Sequence, residues 1–136
     1  MTHSDAKQYS IDIYYFTKIR QRCCDLLSFV DNVSFEQYSH NLEKQLAIGM
    51  CFVNFSDYAD KLIHSNPLIM QKYPSIPWKK IRNFKNVLTH NYDTIDLEST
   101  WNTIQNDIPD LIDNLSKIIN DDQSQEATLK ACSAQS

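Results

Sequence analysis

One glycine, Gly49, serves all 136 residues, beside four prolines. Tight two-residue hairpins rely on glycine and on Asn-Gly or Asp-Gly pairs to reach positive φ, so a chain this poor in glycine has few ways of folding strands back on themselves. Long helices are the remaining solution, and the fold class expected is all-α. The length suits one domain with a real core. No apolar run approaches the eighteen or more residues of a membrane span, and the polar start MTHSDAKQYS has no signal-peptide core. A soluble, cytoplasmic protein with no membrane partner is expected.

The apolar spacing supports this class. Phe16, Ile19, Cys23, Leu26 and Val30 recur at three and four residues, which predicts a first helix from about Ser10 to Asp31. Ser34 to Gln37 reads as a capping box opening a second helix, which runs through Tyr38, Leu42, Leu46, Phe52, Phe55, Ala59 and Leu62 to a stop at His64–Pro67. Gly49 inside it marks a weak point or a close crossing. Pro77 suits the first turn of a third helix, with Trp78, Ile81, Phe84 and Leu88 as its buried stripe. Leu97, Trp101, Ile104, Ile108, Leu111, Leu115 and Ile118 form a last pattern, with a kink expected at Pro109 or two shorter helices, the second capped by Asp107. The pattern is lost from Asn120. The reading is therefore a helical domain over 1–120, a disordered tail over 121–136, and an antiparallel bundle of four to five helices.

Cysteines stand at 23, 24, 51 and 132, without a C-x-x-C spacing or paired histidines. Buried thiols are the better reading than zinc ligands or a disulfide framework, and no cofactor or metal is expected.

Charge is distributed unevenly. Between Lys72 and Tyr92 lie Lys72, Lys79, Lys80, Arg82 and Lys85 and no acid, a segment of +5 in a chain of −4. A solvated basic helix face would explain that. On a helix turning about 100° per residue, Asn83, Asn86 and His90 fall within about 60° of one another, opposite the apolar stripe. His90 can move protons near neutral pH, Asn86 can hold a phosphate or ribose oxygen, and Arg82 or Lys85 can neutralise a transition state. Those are the groups required to cleave RNA through its own 2′-hydroxyl. One chain offers a single histidine here, so a symmetric dimer would complete the pair.

The stretch IPWKKIRNFKNVLTHNYDTIDLESTWNTIQNDIPDL resembles the HepT-like branch of the HEPN superfamily, small helical toxins of prokaryotic toxin–antitoxin systems. Ile76-Pro77-Trp78, Asn86, His90, Tyr92, Ile95-Asp96, Trp101 and the run Asp107 to Leu111 match its pattern in order. The similarity is strong over 72–112 and weaker over the two preceding helices. It implies an HEPN-like fold and a metal-independent endoribonuclease acting on RNA at a cleft between subunits of a homodimer or higher homo-oligomer. In that register His90, Lys85 and Asn86 are the catalytic set, with Arg82 and Asp57 as auxiliaries, while the charge of the basic segment makes Lys79, Lys80 and Arg82 the cations expected to hold RNA. It also implies a minimal nucleotidyltransferase as antitoxin, with Tyr92 as the residue it adenylylates. Lys85 departs from the family, which carries arginine there. Lysine keeps the charge but lacks the planar fork that grips two phosphate oxygens. A catalytically weakened HEPN scaffold that binds the nucleotidyltransferase, or presents a substrate to it, is therefore the alternative.

Overall fold

The computed structural model describes residues 2–85 and 96–122. Its described elements are α1 (His3–Phe29), α2 (Phe35–Ser39), α3 (Leu42–Ser65), α4 (Ile69–Lys72), α5 (Trp78–Asn83), α6 (Leu97–Asn102), a π-helical stretch (Thr103–Asp107) and α7 (Ile108–Asp122), with no strand among the described residues. The all-α expectation holds.

α1 begins seven residues earlier than its apolar spacing suggested. Thr2 Oγ1 accepts from the Asp5 amide at 3.1 Å and the Asp5 carboxylate accepts from the Thr2 amide at 3.2 Å, so a capping box extends the helix over a polar, exposed first stretch. Polar caps carry no periodicity, which is why the spacing missed it. Asn32, at φ 58°, then turns the chain in the left-handed region that asparagine tolerates.

The Ser34 capping box forms as expected, Ser34 Oγ accepting from the Gln37 amide at 3.1 Å. The helix it starts is not the long one. α2 stops at Ser39, and Asn41, whose Oδ1 accepts from the Lys44 amide at 3.0 Å, caps a separate α3. The division seats the buried Tyr38 against Trp101, ring centroids 5.2 Å apart, while α3 keeps its own heading. α3 ends where predicted, at Ser65. Gly49 lies buried within it with no positive φ.

α1 and α3 run antiparallel: Arg22 of α1 donates to Asn54 of α3, whereas Asp12, earlier in α1, accepts from Asn66 just past the end of α3. The last helical run starts beside α2, through Trp101, and passes α1 where Arg20 donates to Ser116, so it is antiparallel to α1. The core is built from the inward faces of these three: Phe16, Ile19 and Leu26; Phe52, Phe55 and Leu62; Ile104, Ile108 and Leu115. α5 lies across α3 as the fourth layer, Phe84 packing on Phe52 and Phe55 with centroids 4.9 and 5.4 Å apart. Four principal helical segments with two short helices between them fit the four-to-five-helix expectation.

Pro109 is absorbed differently from either predicted form. The helix is continuous, and the wide π turn, in which the Ile108 amide bonds back to Thr103, precedes the proline. Asp107 lies in that stretch, and its carboxylate pairs with Lys80 on α5 at 2.7 Å. α7 continues to Asp122, two residues past the predicted end. The rest of the expected tail lies outside the described residues. Among the described residues no helix is long and apolar enough to cross a membrane. Cys23 and Cys51 are buried, as expected for structural thiols, and burial pushes both thiols up, that of Cys51 to about 11.

Candidate functional site

The site is organised by the polar groups of one edge of α3. Ser56, fully buried, places its Oγ 2.6 Å from the Ile81 carbonyl of α5 and 2.8 Å from the Phe52 carbonyl one turn back. The Ile81 carbonyl, in the last turn of a short helix, also accepts from the Phe84 amide at 3.3 Å, so this hydroxyl adds a second, shorter bond that ties α5 to α3. At the other end of α5, the Trp78 indole donates to the Tyr73 carbonyl at 2.9 Å and fixes the entry from the Pro74–Pro77 connection. Pro77 stands immediately before the helix as its cap residue. α5 is thus pinned at both ends.

Asp60 is one turn beyond Ser56, on the same side of α3. Its Oδ1 accepts from Arg82 Nε at 3.0 Å and its Oδ2 from Lys85 Nζ at 3.0 Å. The two cations offered as alternatives for neutralising a transition state are therefore neighbours bridged by one carboxylate. All three side chains are partly in water, where such pairs contribute only about 0–1 kcal/mol and exchange readily for another anion.

Arg82 and Lys85, with Lys79, Asn83 and Met70, line an open groove of about 280 Å³. At about 30 Å³ per water molecule it holds several waters, room enough for a phosphodiester group. Lys79 has no acid partner among the described residues, and it also borders a second, shallower groove with Pro77, Trp78, Lys80 and Asn83. Lys80 turns away to Asp107. Lys72 lies 5.9 Å above the ring of Tyr9 and 5.5 Å above that of Tyr73. Of the five cations in the basic segment, the groove receives Lys79, Arg82 and Lys85.

Asp57, expected as a possible border of the cleft, is exposed on α3, and the carboxylate that meets the cations is Asp60. Sequence reasoning missed Asp60 because its partners stand 22 and 25 residues away. The available signal was the pair Ser56 and Asp60, polar groups four apart on a helix whose neighbouring positions Phe52, Phe55 and Ala59 are apolar. Asn86, His90 and Tyr92 lie outside the described residues, as does Leu88; the described part of α5 ends at Asn83, with Phe84 and Lys85 in the turn that follows. Trp78 is buried and Trp101 half-buried against Phe35 and Tyr38, which agrees with their assignment to packing.

The sequence profile of the family described as Ribonuclease HepT-like matches residues 19–118, which spans α1 from Ile19 through most of α7. The protein named Putative RNase MJ1216 of Methanocaldococcus jannaschii is 26% identical over 121 residues, covering 89% of this chain and 93% of its own. A second protein of that organism, Putative RNase MJ0125, is also 26% identical, over 89% of this chain and 97% of its own. The protein named Probable ribonuclease HepT of Thermococcus cleftensis is 26% identical over 66% of this chain and 79% of its own. No solved structure matches.

Proposed function

The chain belongs to the ribonuclease HepT-like family of the HEPN superfamily, and from that premise we propose that it is the toxin of a toxin–antitoxin pair, an endoribonuclease that needs no metal. The observation carrying this reading is the convergence of Arg82 and Lys85 on Asp60 at the rim of an open groove, immediately before the segment that bears Asn86 and His90.

In the proposed reaction the 2′-hydroxyl of one ribose gives up its proton and attacks the adjacent phosphorus. The bond to the 5′-oxygen of the next nucleotide breaks, and that oxygen leaves with a proton. The products are a 2′,3′-cyclic phosphate and a 5′-hydroxyl. His90 accepts or delivers a proton, and His90 of a second subunit across a dimer cleft does the converse. Lys85 and Arg82 neutralise the charge gathering on the phosphoryl oxygens, and Asn86 holds an oxygen of the substrate. Lys79 contributes to RNA attraction, as does Lys80 from the neighbouring groove, its pair with Asp107 being as exposed as those of Asp60. A minimal nucleotidyltransferase would silence the enzyme by adenylylating Tyr92, adding negative phosphate where RNA phosphate must bind.

The test is cleavage of a mixed-sequence RNA by purified wild type, His90→Ala and Lys85→Arg. Activity in the wild type, at least a hundredfold lower in His90→Ala, is the expected result. Silence in both wild type and Lys85→Arg would overturn it. Lysine in place of the family's arginine favours the second reading, a scaffold for the nucleotidyltransferase, and that reading requires the silent outcome together with a stable complex. Tyr92 is tested separately: with the partner, ATP and magnesium, wild type should gain adenylate mass and Tyr92→Phe should not.

A further inference from the structure

Away from α5, the outer faces of α1 and α3 present a line of rings and ammonium groups. The Tyr14 and Tyr15 centroids are 5.3 Å apart, edge to face, and Tyr15 meets Tyr58 of α3 at 6.2 Å. Lys18 Nζ stands 5.5 Å over the Tyr14 ring and Lys61 Nζ 5.7 Å over the Tyr58 ring. Tyr14 is 55% exposed, far more than a tyrosine used only for packing. Tyr58 also belongs to a groove of about 340 Å³ that it shares with Arg22, Met50 and Asn54. The acids at this surface are Asp25, which already holds Arg22, and exposed Asp57. Arg22 Nε also donates to Asn54 Oδ1 at 2.8 Å, leaving the Asn54 amide hydrogens directed to no acceptor among the described residues.

Ring faces with ammonium groups poised beside them match one ligand class closely. Single-stranded nucleic acid offers unstacked bases to aromatic rings and phosphates to lysines, whereas a duplex hides its base faces. Lys61 follows Asp60, whose carboxylate holds the cations of α5, and successive helical residues are about 100° apart. On that spacing Lys61 stands about 100° and Tyr58 about 160° round α3 from Asp60, so the ladder and the α5 groove lie on separate flanks of the helix with exposed Asp57 between them. A strand leaving the groove reaches the ladder by crossing the outer side of α3.

We infer that the α1–α3 face is a second RNA-binding site, which holds single-stranded RNA flanking the cleavage point, Tyr14 and Tyr58 stacking on bases and Lys18 and Lys61 meeting phosphates. It deepens the ribonuclease reading and rests on it.

The experiment uses the full chain carrying His90→Ala and a fluorescein-labelled uridine 12-mer, followed by anisotropy. Tyr14→Ala should weaken binding about tenfold and Tyr14→Phe should restore it. Lys18→Gln with Lys61→Gln should lower the salt slope by about 1.4, at roughly 0.7 per phosphate. A 12-base-pair duplex should be indifferent to Tyr14→Ala. With His90 intact, cleavage of a dinucleotide, too short to leave the α5 groove, should also be unaffected by Tyr14→Ala. If folded Tyr14→Ala and the lysine variant bind the 12-mer like the parent while wild type cleaves RNA, the inference falls and the ribonuclease reading stands. If the parent binds no RNA, both fall. A changed oligomeric state in the Tyr14→Ala or lysine variant, with RNA affinity intact, would identify the face as a protein interface and overturn the inference.

Discussion

At the scale of single residues, the groove is held in its resting form by one carboxylate. Asp60 splits its two oxygens between Arg82 and Lys85, both half in water, so the pairing orients them at little cost in stability. Asp60→Asn should therefore change folding stability by no more than about 1 kcal/mol, measured by urea titration. RNA affinity should rise severalfold because an anion competing with phosphate has gone, while kcat falls because the cations lose their common anchor. A parallel fall in affinity would show that Asp60 holds the groove open rather than occupying it. Cys51 gives a pH prediction. Burial pushes its thiol from the usual 9.0 to about 11, with the Asp25 carboxylate adding to the rise and Arg22 opposing it. The folded chain then holds this proton more tightly than the unfolded one, so the stability it contributes is intact below pH 9 and declines as pH rises towards 11. Native protein at pH 8 should accordingly be alkylated at Cys51 far more slowly than protein in urea, as read by peptide mass.

At the scale of elements, the buried Ser56 hydroxyl contributes to the docking of α5 beside the packing of Phe84. Ser56→Ala would leave the Ile81 carbonyl only its longer bond from the Phe84 amide, a loss of about 0.5–1.5 kcal/mol. A fall in urea midpoint of that size, with unchanged helical content, is the expected outcome. A neutral result would mean that Phe84 on Phe52 and Phe55 suffices to seat α5. What the sequence revealed at this scale followed a physical rule. Apolar stripes located α1, α3, α5 and the last helical run because burial imposes a 3.6-residue period. The Thr2 start and the Asn41 restart were missed because a cap is one polar side chain with no period. The pairing of Ser56 with Ile81, and of Asp60 with Arg82 and Lys85, was illegible because it exists only once α5 has crossed α3. The basic groove itself was half legible: the sequence assembled its charges, but only the fold sends Lys72 to Tyr9 and Tyr73, and Lys80 to Asp107, away from the other three.

At the scale of the molecule, three long helical segments stack in alternating directions and α5 rides on one of them, so the last segment must keep a single phase over its whole length to cover both α1 and α2. The π turn between Asn102 and Ile108 bears on that requirement. Such a turn is an α-helix carrying one residue too many, a stored slack in chain length. A regular helix cannot lose a residue without turning everything beyond it by about 100°. This one can, at one place, provided the ring of Pro109 is removed as well, because a proline clashes with the tighter turn. Deleting exposed Gln105 together with Pro109→Ala should leave Leu111, Leu115 and Ile119 facing α1, with a melting midpoint within several degrees of the parent. Deleting Asp113, equally exposed but inside the regular helix, should swing Leu115 and Ile119 out of the core and abolish cooperative melting. Length variation in this chain should thus be absorbed at a single turn, and forbidden about two helical turns further on.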